Sequence, residues 1–193
     1  LIMVFPAGVI TVSAENTTEF LGGAGTEESP YLISTKDHLN NVRKYLDAHF
    51  LMVADIEFTD TDFAEGGEFY NDGQGWEPIG TDESSPFTGT FDGDGHAIAR
   101  LICHRSSKSN SVYAGVFGYN KGRIRNLGII DGDIFAKSVS IFSNLNAYAG
   151  GIVGFNAGYG TISNCYNTGS VNALVFYSSS RIDFFRTHAG GIV

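Results

Sequence analysis

Any chemistry in this 193-residue chain would have to come from its carboxylates. Asp92 and Asp94 sit in Phe91-Asp-Gly-Asp-Gly-His96, Asp72 in Asn71-Asp-Gly-Gln-Gly75, and Asp55 and Glu57 on an alternating run. Acids gathered on one face suit polysaccharide cleavage, which needs two carboxyls about 5–9.5 Å apart across a bound sugar. Asp72, Asp92 and Asp94 are also oxygen donors that calcium accepts, although their spacing lacks the regular EF-hand pattern. A turn explains the same residues, because Asp bonds its own backbone and Gly accepts positive φ. Alternation points Asp55 and Glu57 outward, the ordinary place for charge. The residues after Gly95 add almost no acids to extend such a face. We assign no catalytic residue and no cofactor-binding residue, and weigh calcium at Asp72, Asp92 and Asp94 as the one cofactor.

Other chemistries find no footing. His38, His49, His96, His104 and His188 never stand one helical turn apart around a Glu, as a zinc peptidase helix requires. There is no Gly-x-Ser-x-Gly elbow and no cysteine pair at zinc spacing. Gly22–Gly25 lacks the strand-to-helix context of a dinucleotide site. Cys103 and Cys165 make no disulfide framework, and both are expected reduced, with Cys165 a small core residue.

Charge is unevenly spread over a net −9. Residues 15–95 carry 18 acids against three bases, and residues 96–193 carry three acids against nine bases. The acidic half argues against nucleic acid as a partner. The basic run Lys121-Gly-Arg-Ile-Arg125 reads as a solvated turn.

Several elements would position these groups. Residues 1–14, closing in Val12-Ser13-Ala14, read as the remnant of a secretory signal peptide, too short to span a membrane. Ser34-Thr-Lys-Asp37 reads as a capping box, and Leu39, Val42 and Leu46 as one face of a helix over about 35–48. Residues 15–58 would then form an N-terminal cap closing the core and hiding a strand edge, with a first strand at Phe50–Phe58. Residues 59–75 form an acidic, Gly-rich excursion, from which Trp76 returns as a packing residue rather than a sugar platform.

The rest, residues 59–193, is organised around a repeat. Gly115-Val-Phe-Gly-Tyr-Asn120 matches Gly151-Ile-Val-Gly-Phe-Asn156, Ile124–Leu127 matches Ile162–Cys165, and Ala189–Val193 restarts the motif. A period of 36 to 40 residues between Gly115, Gly151 and Gly191 signals stacked supersecondary units. Short β-prone runs broken by Gly and Asn predict three strands per unit, with inward columns Ile98–Ile124–Ile162 and Leu101–Leu127–Cys165. Asn126 and Asn164 would stack at a corner, in a column that Arg100 breaks. The joining segments Phe135–Tyr148 and Asn172–His188, with Ile141-Phe142 and Ile182–Phe185, predict lateral hairpins.

These units resemble the GLUG-type repeats of bacterial surface proteins, including N-terminal regions of some immunoglobulin A proteases. The likeness extends upstream through Gly22–Thr26, Pro30–Thr35, Trp76–Gly80 and Phe87–His96. It implies an all-β fold, a right-handed parallel β-helix (solenoid), on a secreted or cell-surface protein. The function expected is non-catalytic and stalk- or adhesin-like, with lateral loops presented to a host glycan or surface protein and further repeats C-terminally. A carbohydrate-active β-helix lyase or hydrolase, and the accessory region of a large surface metallopeptidase, are the alternatives.

Overall fold

The computed structural model describes residues 19–140, 145–177 and 186–192. The apolar run at 1–14, Ile141–Asn144 and Ser178–Phe185 lie outside the described residues.

The leading segment is built by side-chain packing. β1 (Tyr31–Ile33) precedes α1 (Lys36–Asn41), whose N-cap is Thr35, its hydroxyl accepting from the His38 N–H at 3.2 Å. Ser34, the expected cap, instead meets the His38 ring. A 3-10 turn, Val42–Lys44, continues α1, and Tyr45 then leaves helical geometry at φ −136°, ψ 59°. The helix expected over 35–48 is therefore shorter. Tyr45 turns away to pack on Phe20 and Tyr31 and to donate its hydroxyl to Glu19 at 2.6 Å. Leu39 and Val42 are fully buried, as their spacing requires.

The alternation expected over Phe50–Phe58 holds, with Phe50, Met52, Ile56 and Phe58 buried. It is nonetheless split. β2 (His49–Met52) and β3 (Ile56–Glu57) belong to different sheets, so a corner at residues 53–55 turns the chain without changing which side chains face inward.

After β3 the chain makes its excursion, which holds α2 (Asp60–Phe63) and a short 3-10 turn, Asn71–Gly73. The capping box absent from α1 occurs here, between Thr59 and Asp62. Phe58, Phe69 and Trp76 pack ring against ring, and buried Trp76 donates Nε1–H to the Val116 carbonyl at 3.0 Å. Trp76 thus pins the excursion, and no face of it is open to a sugar.

Three further passes follow. The second has β4 (Thr90–Asp92), β5 (Ala97–Ala99), β6 (Ile102–Ser107), β7 (Val112–Ala114) and β8 (Phe117–Asn120). The third has β9 (Arg123–Arg125), β10 (Gly128–Ile130), β11 (Asp133–Ser140), β12 (Asn146–Gly150) and β13 (Val153–Asn156). The fourth has β14 (Thr161–Ser163), β15 (Tyr166–Asn167), β16 (Ser170–Tyr177) and β17 (Arg186–Gly190). The sheets run β1-β2-β4-β9-β14, β15-β10-β5-β3, β16-β11-β6, β17-β12-β7 and β13-β8. Every pairing between these strands is parallel. The protein is all-β in its body, with parallel strands throughout.

Like residues stack across passes. One inward column is Phe50–Phe91–Ile124–Ile162, and another is Ile56–Ile98–Ile129. Ile98 therefore does not head the Ile124–Ile162 column, and Leu101 does not join Leu127. The second pass has a four-residue corner, Gly93–His96, where the third has Asn126-Leu127, and those two extra residues shift the alignment. Asn126 and Asn164 do stack, both at positive φ, with the Asn164 amide donating to Asn126 at 2.9 Å. Arg100 aligns instead with Asp131, also at positive φ. The Gly-x-x-Gly motif serves close backbone approach: a Cβ on Gly118 would lie 2.5 Å from the Gly80 carbonyl oxygen.

The lateral segments extend from each of the last three passes as arms: β6 with β7, β11 with β12, β16 with β17. They are not hairpins in the hydrogen-bonding sense. Outgoing strands pair only with outgoing strands and returning with returning, so the arms form two three-stranded sheets. Side-chain packing joins them, through buried Ala136, Ser138, Ala147 and Ala149. Cys103 is buried in the column Cys103–Ile134–Val171, and Cys165 is half-buried elsewhere. Both thiols are free, and burial pushes that of Cys103 up to about 12.

Candidate functional site

Two concavities gather polar groups. The first, of about 420 Å³, lies between α1, β3 and α2, and brings Asp55 and Glu57 together with Asp37, Asp62 and Glu68. Most of these carboxylates already have partners. Asp55 accepts from the Ala97 N–H at 2.9 Å and pairs with His96 at 3.0 Å, and these bonds lower its pKa. Asp62 takes Lys36 at 2.5 Å and both the N–H and hydroxyl of Thr59. Partial burial alone would raise the Asp62 carboxyl, but those hydrogen bonds outweigh it and hold it low. Glu68 is pushed up, first by burial, then by its hydrogen bond to Asp37 and the charges of Asp37 and Asp62. Glu57 lies 3.9 Å from Arg100, which also holds Asp60 at 2.7 Å. The arrangement cross-links α1, β3 and the excursion.

The calcium candidates are not brought together. Asp92 is committed to Arg125 at 2.7 Å, to the Asn126 amide at 2.8 Å and to the Asp94 N–H at 3.0 Å. Partial burial raises its carboxyl, but those donors prevail and its pKa is lowered. Asp94 and Asp72 are exposed turn residues at positive φ. Among the described residues no three His, Cys, Asp or Glu side chains group as a metal site.

The second concavity, of about 550 Å³, opens under the first arm, and its lining includes Thr81, Glu83, Arg105, Ser107, Asn110 and Tyr113. β6 and β7 each lie at one edge of their sheets, with β16 and β17 at the other. Residues 74–76 cover the inner half of β6, through the Trp76 N–H to the Ile102 carbonyl at 2.7 Å and the His104 N–H to the Gln74 carbonyl at 2.8 Å. Tyr113 begins an aromatic ladder along the returning strands. It stacks on Tyr148 at 5.1 Å and 2°, and Tyr148 stacks on His188 at 5.2 Å and 3°. Tyr119 and Phe155 meet the ladder edge-on. Burial, then the nearby Tyr148, Tyr119, Glu83 and Asp82, raise the Tyr113 hydroxyl.

Sequence reasoning passed over the residues of this cleft. Its signal was the recurring aromatic before Ala-Gly: Tyr113-Ala-Gly, Tyr148-Ala-Gly and His188-Ala-Gly. Arg105 had no such marker, because only the register shows what it replaces.

Comparison with known proteins places residues 146–172 in the GLUG motif. The chain is 36% identical over 166 residues to a protein of Evansella cellulosilytica described as a Gly-rich membrane protein, covering 85% of this chain and 17% of that one. It is 34% identical over 170 residues to Halomucin of Haloquadratum walsbyi, covering 85% of this chain and 2% of Halomucin. The chain thus spans less than a fifth of the length of either relative. A solved structure described as an immunoglobulin A1 protease of Bacteroides ovatus matches with a TM-score of 0.49 at 21% identity, over 83% of this chain and 66% of that one. Among the described residues no helix is long and apolar enough to cross a membrane.

Proposed function

We propose, from the premise that the chain carries a GLUG motif, that it is a non-catalytic segment of a bacterial secreted or cell-surface protein, built as a rod whose lateral arms recognise a glycan or protein. The single observation that carries this reading is the repetition of the arms. Each of the last three passes sends a pair of strands out at the same place, and these stack in register over a shared core. A right-handed parallel β-helix accounts for such registers, because parallel crossover connections are almost always right-handed. In it α1 and β1 act as the N-terminal cap. Further passes of the same kind would continue the stack: Ile162 and Val171 are only half-buried, while Ile124 and Ile134 in the same columns are fully buried. The relatives support a surface address, since one is described as a membrane protein and the other is named Halomucin.

The test pairs binding with turnover. The chain is incubated with acidic and neutral polysaccharides and with extracellular matrix proteins, and both retention and release of cleaved product are scored. Retention that is lost when Tyr113 and Tyr148 are both replaced by Ala, without cleavage, supports the reading; cleavage, or retention indifferent to the arms, overturns it.

A carbohydrate-active enzyme is the second reading. It is favoured by one observation, that Asp55, Glu57 and the raised Glu68 share a groove. Product release abolished by Glu68→Gln would establish it.

A further inference from the structure

We propose that the cleft under the first arm is a binding site for an acidic saccharide, with Arg105 as the residue that receives its anionic group. This rests on the recognition role proposed above for the arms, and adds where the ligand sits and what it must carry.

The first observation is a break in a column. Arg105 is in register with Ala136, and Ala136 with Ala173. A small residue suffices where one arm packs on the next. Arginine stands in the arm that lines the cleft, on β6 just past the half of the strand that residues 74–76 cover. The second is a missing acceptor. Nη1 of Arg105 is closed off from water and has no hydrogen-bond partner. Among the described residues no carboxylate forms an ion pair with Arg105. A guanidinium N–H withdrawn from water without an acceptor is costly, so Nη1 of this half-buried side chain lacks the partner it needs.

The surroundings sharpen this. Burial pulls the Arg43 guanidinium down, Glu77 opposes this, and the charge of Arg105 adds to the lowering. The carboxylate at hand, Glu77, is taken by Arg43 at 3.1 Å, and Arg43 also sits 4.8 Å over the Trp76 ring. Among the described residues Arg43 is therefore paired, and Arg105 is not. Across the cleft, Asp82 does not compensate: its carboxylate accepts from the Ser84 N–H and hydroxyl and from the Ser85 N–H. Glu83 is an exposed rim residue, suited to accept from a hydroxyl.

For a ligand to reach it, the long Arg105 stem must rotate so that Nη1 turns into the cleft that the residue lines. A carboxylate or sulfate oxygen then supplies the missing acceptor, in the forked geometry guanidinium favours. The other lining groups suit a polyhydroxylated body: the hydroxyls of Ser107 and Ser111 and the Asn110 side chain. Tyr113 has one face on Tyr148, and no strand lies beyond β7 to cover the other. That face offers a sugar ring the apolar contact it needs.

The experiment is calorimetric titration of the full chain with trigalacturonate, a chondroitin sulfate tetrasaccharide and uncharged maltotriose. At least one acidic probe is expected to bind about tenfold or more tighter than maltotriose, weakening with salt. Desulfated chondroitin tetrasaccharide, which keeps the glucuronate carboxylates, separates carboxylate from sulfate as the recognised group. Arg105→Gln should lower that affinity by about tenfold or more, and Arg105→Lys by less, with unfolding curves reporting that both variants fold. Arg123→Gln, on a different sheet, should leave it unchanged. The inference is overturned if neither acidic probe binds, if maltotriose binds equally, or if Arg105→Gln binds as the unaltered chain does. In the last case, binding still lost on replacing Tyr113 and Tyr148 keeps the recognition role of the arms and removes only this site.

Discussion

The leading region, residues 19–89, and the passes that follow are held together by different means. In the leading region rings do most of the packing: Phe20, Tyr31, Tyr45 and Phe50 in one group, Phe58, Phe63, Phe69 and Trp76 in another. Ion pairs such as Lys36 with Asp62 and Arg43 with Glu77 tie its loops down. From β4 onward, parallel backbone ladders and stacked amides take over, with like residues in register, such as Ile98 on Ile129, Ile124 on Ile162 and Tyr113 on Tyr148. A segment that cannot copy its neighbour must be specified residue by residue. A segment lying on a copy of itself needs only the right residue type at the right place.

The largest effect that would test this contrast is at Trp76. Trp76→Ala removes a fully buried ring, its bond to Val116 and the Arg43 contact, and should cost about 3–5 kcal/mol in urea unfolding. A loss under about 1 kcal/mol would mean the excursion is not pinned there. Next come matched truncations within one column. Ile124→Ala should cost about 2–4 kcal/mol, and Ile162→Ala distinctly less, because Ile162 is only half-buried. Equal losses would show that the fourth pass is as well covered as the third.

A smaller effect is expected at Asn120. Its buried amide donates to Asn156 at 2.7 Å and to the Gly122 carbonyl, and its oxygen accepts from the Gly122 N–H. Asn120→Ala should cost about 1–3 kcal/mol, since it leaves those groups unpaired. The smallest effects are in pH dependence, and they have opposite signs. Asp62 is held below its ordinary 3.8, so its stabilisation is present above that value and lost as pH falls through the depressed one. Glu68 is held above its ordinary 4.5, so its contribution is complete below 4.5 and lost as pH rises through the raised value. Melting temperatures of Asp62→Asn and the unaltered chain should converge in strong acid. Those of Glu68→Gln and the unaltered chain should part only as pH rises, with the Gln variant melting higher.

Much of the fold was legible because repetition is visible without coordinates. The spacing of Gly115, Gly151 and Gly191, the alternation across Phe50–Phe58 and the stacking of Asn126 on Asn164 could all be read from residue types. What could not be read was how many residues each corner consumes. Gly93–His96 and Asn126-Leu127 make the same kind of corner with different lengths, and an alignment by likeness slides past that difference. The helix ended early because Tyr45 has a better place among rings than on a third turn. The cleft was obscure for a related reason. Arg105 is conspicuous only against Ala136 and Ala173, and that comparison needs the register.

The ladders carry a mechanical consequence. Paired residues such as Ile98 and Ile129, or Ala149 and Ala189, lie 31 to 40 positions apart along the chain. Tension applied across the ladders therefore peels hydrogen bonds one after another instead of shearing them together. Each pass that comes away pays out roughly 100–140 Å of extended chain before the next is loaded. A tether made of such passes yields in steps, and the spacing of the repeat sets the stride.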